Sequence, residues 1–425
     1  MNPFEEKGIA IDKSYESFCT MYPHAYDKNE TSPYTKTRII LMNGTEYDAN
    51  WFSHQFARHI TDNDLKRDIA LCREAEKQQQ LKIALLKPIG ESVLEHTIGY
   101  EQLAVDLTAE LAKRVDDVNV KNALDFALLE DFDHLYRYAD LLEMREGVKA
   151  EMLVGKYTEI MPGRPTVAHH RCPSDNVKKG LVAKNSTTMS VLSTLIITAA
   201  EQQTMNYYMN IATFGGDDMA RRLYQEIALV EEEHVTQYES LQDAGATWLE
   251  MMLWHEYAEC YLYWSCYKTE TDKYIKDIWE RHLLMELGHL HKSADLLKKY
   301  EHKEWNEVIL DPVFPEPLSL HENKDYVRDI LANTVQYTTD REDYVLLSDL
   351  DKNANFYAFQ KVINSDVNCA PSHEVISTYI DVKGEDYRYQ EGKHPISELE
   401  CRTIDNVEVG RCPDATREKK FFKNV

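Results

Sequence analysis

The chain carries three copies of one spaced set of metal-ligating side chains. Glu101 stands thirty residues ahead of Asp131, which is three ahead of His134. Glu201, Glu231 and His234 repeat that spacing, and so do Glu256, Glu286 and His289. Residues i and i+3 of a helix project from one face, so each acid–histidine pair can offer an oxygen and a nitrogen to the same point. Thirty residues is about the distance along one helix, around a tight turn, and back to the facing level of an antiparallel partner. Each set is therefore half of a carboxylate–histidine cage, and two halves complete a site for two metal ions. A fourth acid-x-x-His unit, Glu391 with His394, has Lys361 where the leading glutamate should stand.

The neighbouring residues place the first two sets on helices. Leu124, Ala127, Asp131, His134, Tyr138 and Leu141 fall on one helical stripe, and Tyr224, Ile227, Glu231, His234, Tyr238 and Leu241 repeat it 100 residues later. The leading helices agree, with Leu94, Ile98, Glu101, Val105 and Thr108 against Thr194, Ile197, Glu201, Met205 and Tyr208. An unpaired carboxylate within an apolar stripe is costly. Several acids buried together need protons, cationic partners or a metal, and a divalent cation is the most economical of these. Tyr138 and Tyr238 follow their histidines by four residues and can stand behind the ligands as hydrogen-bond donors.

The elements that must position these residues read as mainly α-helical. Residues 1–86 form an N-terminal extension, with a short helix near 48–60 and a charged helix at 63–86 stopped by Pro88. Residues 87–245 read as four helices joined in the middle by a long crossover at 146–186. A third helical hairpin, 246–304, packs on that bundle. DPVFPEP at 311–317 marks a boundary within 305–425, a polar C-terminal subdomain with short helices near 322–335, 351–363 and 371–381. The crossover is long enough to bring the first two sets face to face, whereas the link at 244–247 cannot traverse a helix, so the third set packs differently. Within the crossover, His169, His170 and Cys172 have ligand chemistry but no evident fourth ligand.

Composition bounds the rest. A net charge of −25 argues against binding a phosphate backbone, so no nucleic-acid partner is expected. The longest apolar runs are too short or too polar to span a membrane, and the first residues have no apolar signal-peptide core. Eight cysteines include no C-x-x-C pair, which fits a reducing cytoplasm.

The run IALVEEEHVTQYESL at 227–241 looks like the fourth helix of rubrerythrin-type proteins. Residues 89–243 as a whole resemble the ferritin-like diiron-carboxylate superfamily: E…D-x-x-H, a long crossover, then E…E-x-x-H. The resemblance implies a four-helix bundle with Glu101 and His134 on one metal and Glu201 and His234 on the other. It also implies that Asp131 and Glu231 bridge, and that the metals are two iron ions, with manganese or a mixed Mn/Fe pair as alternatives. The implied reaction is reduction of O2 or peroxide, coupled to oxidation of iron or a small reductant. The chain departs from the family at Asp131, where glutamate is usual; the adjacent Glu130 is a substitute. It also has no rubredoxin-like C-x-x-C module, so electrons come from a separate donor. A metal-binding protein without catalysis and a metal-free helical scaffold are the rival readings. For Glu256, Glu286 and His289 three roles stay open: a half-site completed across the two-fold axis of a homodimer, an extra ligand to the main site, or scaffold. Glu259 and His282 are further polar groups on that hairpin.

Overall fold

The computed structural model describes residues 1–214, 216–365 and 369–388, so Glu391 and His394 lie outside the described residues. The described chain is mainly helical, as expected, and local chemistry sets where its eight long helices begin. Helix α1 (Pro33–Arg58) follows Ser32 and opens on proline, whose fixed φ suits a first turn. Asp62 caps α2 (Asn63–Ala84) by accepting from the Asp64 and Leu65 amides. Ser92 and Glu95 form a capping box on α3 (Val93–Arg114), and Asp117 caps α4 (Val118–Glu146). Thr187 caps α5 (Thr188–Ile211), and Asp217 caps α6 (Asp218–Glu239). Thr247 and Glu250 form a second capping box on α7 (Trp248–Thr269), and Asp272 caps α8 (Lys273–Glu301).

These caps fall in register. Ser32, Asp62, Ser92 and Asp117 recur 155 residues later as Thr187, Asp217, Thr247 and Asp272. Helices α5–α8 therefore repeat α1–α4 without a gap. The repeat is visible in side chains too: α4 and α8 share Lys121/Lys276, Leu128/Leu283, His134/His289, Asp140/Asp295 and Leu142/Leu297.

The helices pair as four hairpins. Hairpins α3–α4 and α5–α6 pack into an inner bundle, and α1–α2 and α7–α8 into an outer one. Helix α1 lies against α3 and α5 as well as α7, so the leading helices join the two bundles. One continuous apolar core, including Ile40, Leu103, Leu135, Ile197, Leu253 and Leu290, runs through both. Two expectations for the N-terminal region change. The short helix near 48–60 is a helix starting at Pro33, and residues 1–86 are not an appended arm but half of the outer bundle. Thr35, Thr37, Ile39, Ile40 and Gly44 have poor helix propensity, and burial of Thr35 and of residues from Thr37 through Met42 overrides it.

The crossover leaves α4 at Gly147 and is held to it again at Gly163, whose amide donates to Asp133 Oδ1 at 3.0 Å. A side chain there would bring a Cβ within 2.5 Å of the Leu129 carbonyl oxygen, so only glycine allows this approach. Beyond the bundles, α9 (Lys324–Thr334), α10 (Asn355–Ile363) and α11 (Pro371–Lys383) match the expected short helices. Between them an unexpected hairpin pairs β1 (Tyr337–Asp340) with β2 (Asp343–Leu346), each strand too short for its alternation to show in sequence. Helices α9 and α11 pack on α4, and Arg388 ties the end of the described chain to Asp140 and Glu151 at 2.7 and 2.6 Å. No helix among the described residues is long and apolar enough to cross a membrane.

Candidate metal centre

Four helices carry the expected ligands to one level of the inner bundle. Helix α3 supplies Glu101, α4 Asp131 and His134, α5 Glu201, and α6 Glu231 and His234; all six are buried. They form two overlapping groups, Glu101–His134–Glu231 and Asp131–Glu201–Glu231–His234, with ligand atoms in each within 4.8 Å of one another. Glu231 belongs to both. Its Oε1 lies 3.1 Å from His134 Nδ1 and its Oε2 3.0 Å from His234 Nδ1. Asp131 falls in the second group alone, 3.3 Å from His234 Nδ1. Of the two acids expected to bridge, Glu231 alone belongs to both groups.

The electrostatics are those of a crowded anionic pocket. Burial, followed by the facing Glu231, pushes Glu101 well above the usual carboxylate range. Burial and Glu201 do the same to Asp131, and burial raises Glu201 to about 7. Glu231 goes the other way: burial opposes ionisation, yet His134 and His234 hold it down to about 2. Glu101 Oε2, both oxygens of Asp131 and of Glu201, and His134 Nε2 have no hydrogen-bond partner. Buried lone pairs converging without donors are what a cation satisfies, and carboxylate oxygens with imidazole nitrogens suit iron and manganese.

Glu130 is not a ligand substitute. It points behind the site, where its Oε2 lies 2.8 Å from His234 Nε2 and its Oε1 accepts from Arg164 at 2.9 Å and Arg171 at 2.5 Å. Burial would raise its pKa, but Arg171, His169 and the His234 contact hold it well below the usual range. The carboxylate therefore fixes the His234 ring with Nδ1 towards the ligands, as partners behind metal-binding histidines do. Sequence reasoning missed both arginines; they arrive from the crossover, where no helical period announces them. Arg171 lies inside the HHRCP run, between the histidines and the cysteine that have ligand chemistry.

The tyrosines also differ from expectation. The hydroxyls of Tyr138 and Tyr238 are buried without a hydrogen-bond partner, so neither donates to a ligand. Tyr208 does, to Glu101 Oε1 at 2.5 Å. It was visible on the α5 stripe, but one helix away from the acid it meets. His169, His170 and Cys172 diverge: His169 bonds the Arg164 carbonyl oxygen, His170 Nδ1 meets Asn364, and Cys172 lies 3.3 Å from Ser174 Oγ. They form no metal-binding group among the described residues.

Glu256, Glu286 and His289 give no ligand to the inner site. They lie in the outer bundle with Glu76 and Glu259, in the groups Glu76–Glu256–His289 and Glu256–Glu259–Glu286. Their facing half comes from α1–α2 of the same chain, so a two-fold axis is not needed to complete the cluster.

No protein-family model, curated protein or solved structure matches this chain.

Proposed function

We propose that the inner bundle is a ferritin-like dimetal-carboxylate centre. Two iron ions are the expected occupants, with manganese or a mixed pair served by the same donors. The protein would act as an oxidoreductase, reducing O2 or peroxide with electrons from iron or a small reductant supplied by a separate donor. The observation that carries this reading is the convergence of six ligands from four helices into two groups sharing Glu231. A bound metal pair would supply the one-electron steps that such a reduction needs.

The chain's own residues have definite parts in that reading. Glu101 and His134 face one position, Asp131, Glu201 and His234 the other, and Glu231 spans both. Glu130 holds His234 in orientation, and Tyr208 keeps a proton on the Glu101 side of the pocket. A cleft of about 720 Å³ between α6 and the C-terminal helices is lined by His170, Glu226, Leu229, Glu233 and Phe359. It is separated from Glu130 by Arg171, which lies 3.4 Å from Glu233, and it offers a small reductant its approach.

Elemental analysis of protein purified without added metal tests the reading. Iron or manganese should be present, and Glu231→Ala should remove about two equivalents. Wild-type protein that takes up no metal on anaerobic reconstitution would sink it. Consumption of peroxide by the reduced protein then separates an oxidoreductase from a metal-binding protein without catalysis.

A further inference from the structure

The 155-residue repeat maps the inner site onto a second set of side chains. Glu101, Asp131 and His134 map to Glu256, Glu286 and His289, while Glu201, Glu231 and His234 map to Glu46, Glu76 and Gln79. Glu46 and Glu76 keep the thirty-residue spacing, with Gln79 in the place of the histidine. A search for acid-x-x-His units passes over this hairpin for that one substitution.

The mapped residues also meet as their counterparts do. Gln79 Nε2 donates to Glu286 Oε1 at 2.6 Å, where the inner site sets His234 against Asp131 at 3.3 Å. His289 Nδ1 lies 4.0 Å from Glu76 Oε1, where the inner site sets His134 against Glu231 at 3.1 Å. Outside that mapping, each bundle also has one tyrosine that donates to a cluster acid, Tyr263 to Glu46 Oε1 here and Tyr208 to Glu101 in the other bundle. Glu259, one turn beyond Glu256, adds a fifth carboxylate without a counterpart in the inner site.

These groups are buried, and several of their polar atoms lack partners. Glu46 Oε2, Glu76 Oε2, Gln79 Oε1, Glu256 Oε2, both oxygens of Glu259 and His289 Nε2 have no hydrogen-bond donor or acceptor. Arg38 and Arg281 are engaged elsewhere with Glu270 and Glu16, and Arg73, bonded to Ser53, reaches Glu76 only through its field. Five carboxylates, one amide carbonyl and one imidazole make an oxygen-rich donor set, which favours hard divalent cations over those that seek nitrogen or sulfur.

We propose that the outer bundle holds a second metal site, built from Glu46, Glu76, Gln79, Glu256, Glu259, Glu286 and His289, that prefers hard divalent cations such as Mn2+.

The test is Mn2+ titration of the metal-free full-length chain, read by the loss of the free-ion electron paramagnetic resonance signal. With the inner site disabled by Glu231→Ala and His134→Ala, the protein should still bind Mn2+. Adding Glu76→Ala and Glu256→Ala should abolish that binding while circular dichroism shows the helices intact. Should those variants unfold, Gln79→His alone decides the matter. A nitrogen donor at that place should tighten Zn2+ binding by roughly tenfold or more at unchanged stoichiometry, given that even partners behind a ligand are worth about ten- to a hundredfold. Absence of Mn2+ binding by the folded inner-site variant, or Zn2+ affinity indifferent to Gln79→His, would overturn the second site. Neither result touches the inner site, whose own loss is read from Glu231→Ala.

Discussion

Glu130 and Asp131 are neighbours in the chain, and the helical turn sends them to different work. Asp131 faces the ligand pocket, while Glu130 faces two buried guanidinium groups and the back of His234. Replacing Glu130 by glutamine keeps the shape and removes the charge, leaving Arg164 and Arg171 without their shared counter-ion. Breaking a buried pair in this way costs about 3–5 kcal/mol, and loss of the His234 support should weaken metal binding about ten- to a hundredfold. Urea denaturation would measure the first and competition with a chelator the second; a variant equal to wild type in both would remove Glu130 from the site. At this scale the sequence was most legible where spacing carries chemistry. All six residues of the inner cluster were readable because a helix repeats its faces, whereas Arg164, Arg171 and Tyr208 reach the cluster from other elements and have no local period to betray them. Tyr208→Phe should accordingly leave metal stoichiometry unchanged but alter the optical spectrum of the reconstituted protein, since the donor to Glu101 is lost.

At the scale of elements, the joints between helices carry the predictions. Glu270, at the end of α7, accepts from Thr35 and Arg38 on α1 and from Trp279 on α8, so one carboxylate fastens three helices. Burial alone would raise its pKa, but the Arg38 contacts lower it from 4.5 to about 2. A depressed folded-state pKa contributes stability above the unfolded value, lost as pH falls through the folded one. Glu270→Gln should therefore cost about 3 kcal/mol at neutral pH, and the gap to wild type should close between about pH 4.5 and pH 2. Denaturation midpoints of both proteins across that range would show it, and a gap that widened in acid would refute it. Gly163→Ala is the matching test of the crossover, because a Cβ there meets the α4 backbone. It should lower Tm and, by displacing Arg164, loosen the metal as Glu130→Gln does. Helix caps and the long crossover were readable from local residue types. The full length of α1 was not, because its threonines, isoleucines and glycine lack helix propensity and become helical through burial.

The whole molecule follows from how the repeat is folded. Each half contributes one hairpin to each bundle: α3–α4 meets α5–α6 in the inner, and α1–α2 meets α7–α8 in the outer. Neither half of the chain contains all the residues of either buried acid–histidine cluster, so both clusters form only when the halves close on each other. The 155-residue period escaped a reading built on acid–histidine pairs, because a glutamine occupies one of its four histidine positions. A duplicated fold closed in this way should unfold as one unit, since α1 and α5 lie at the centre and each touches helices of both bundles. Cleavage of the exposed bond between Lys179 and Gly180, late in the crossover, tests this directly. The two pieces should remain associated on gel filtration, keep their metal, and melt in a single transition. Separated in denaturant, neither piece should bind metal with the affinity of the whole, and remixing should restore it. Pieces that part without denaturant, or a half that binds metal alone as tightly as the intact chain, would show that each site is built within one half after all.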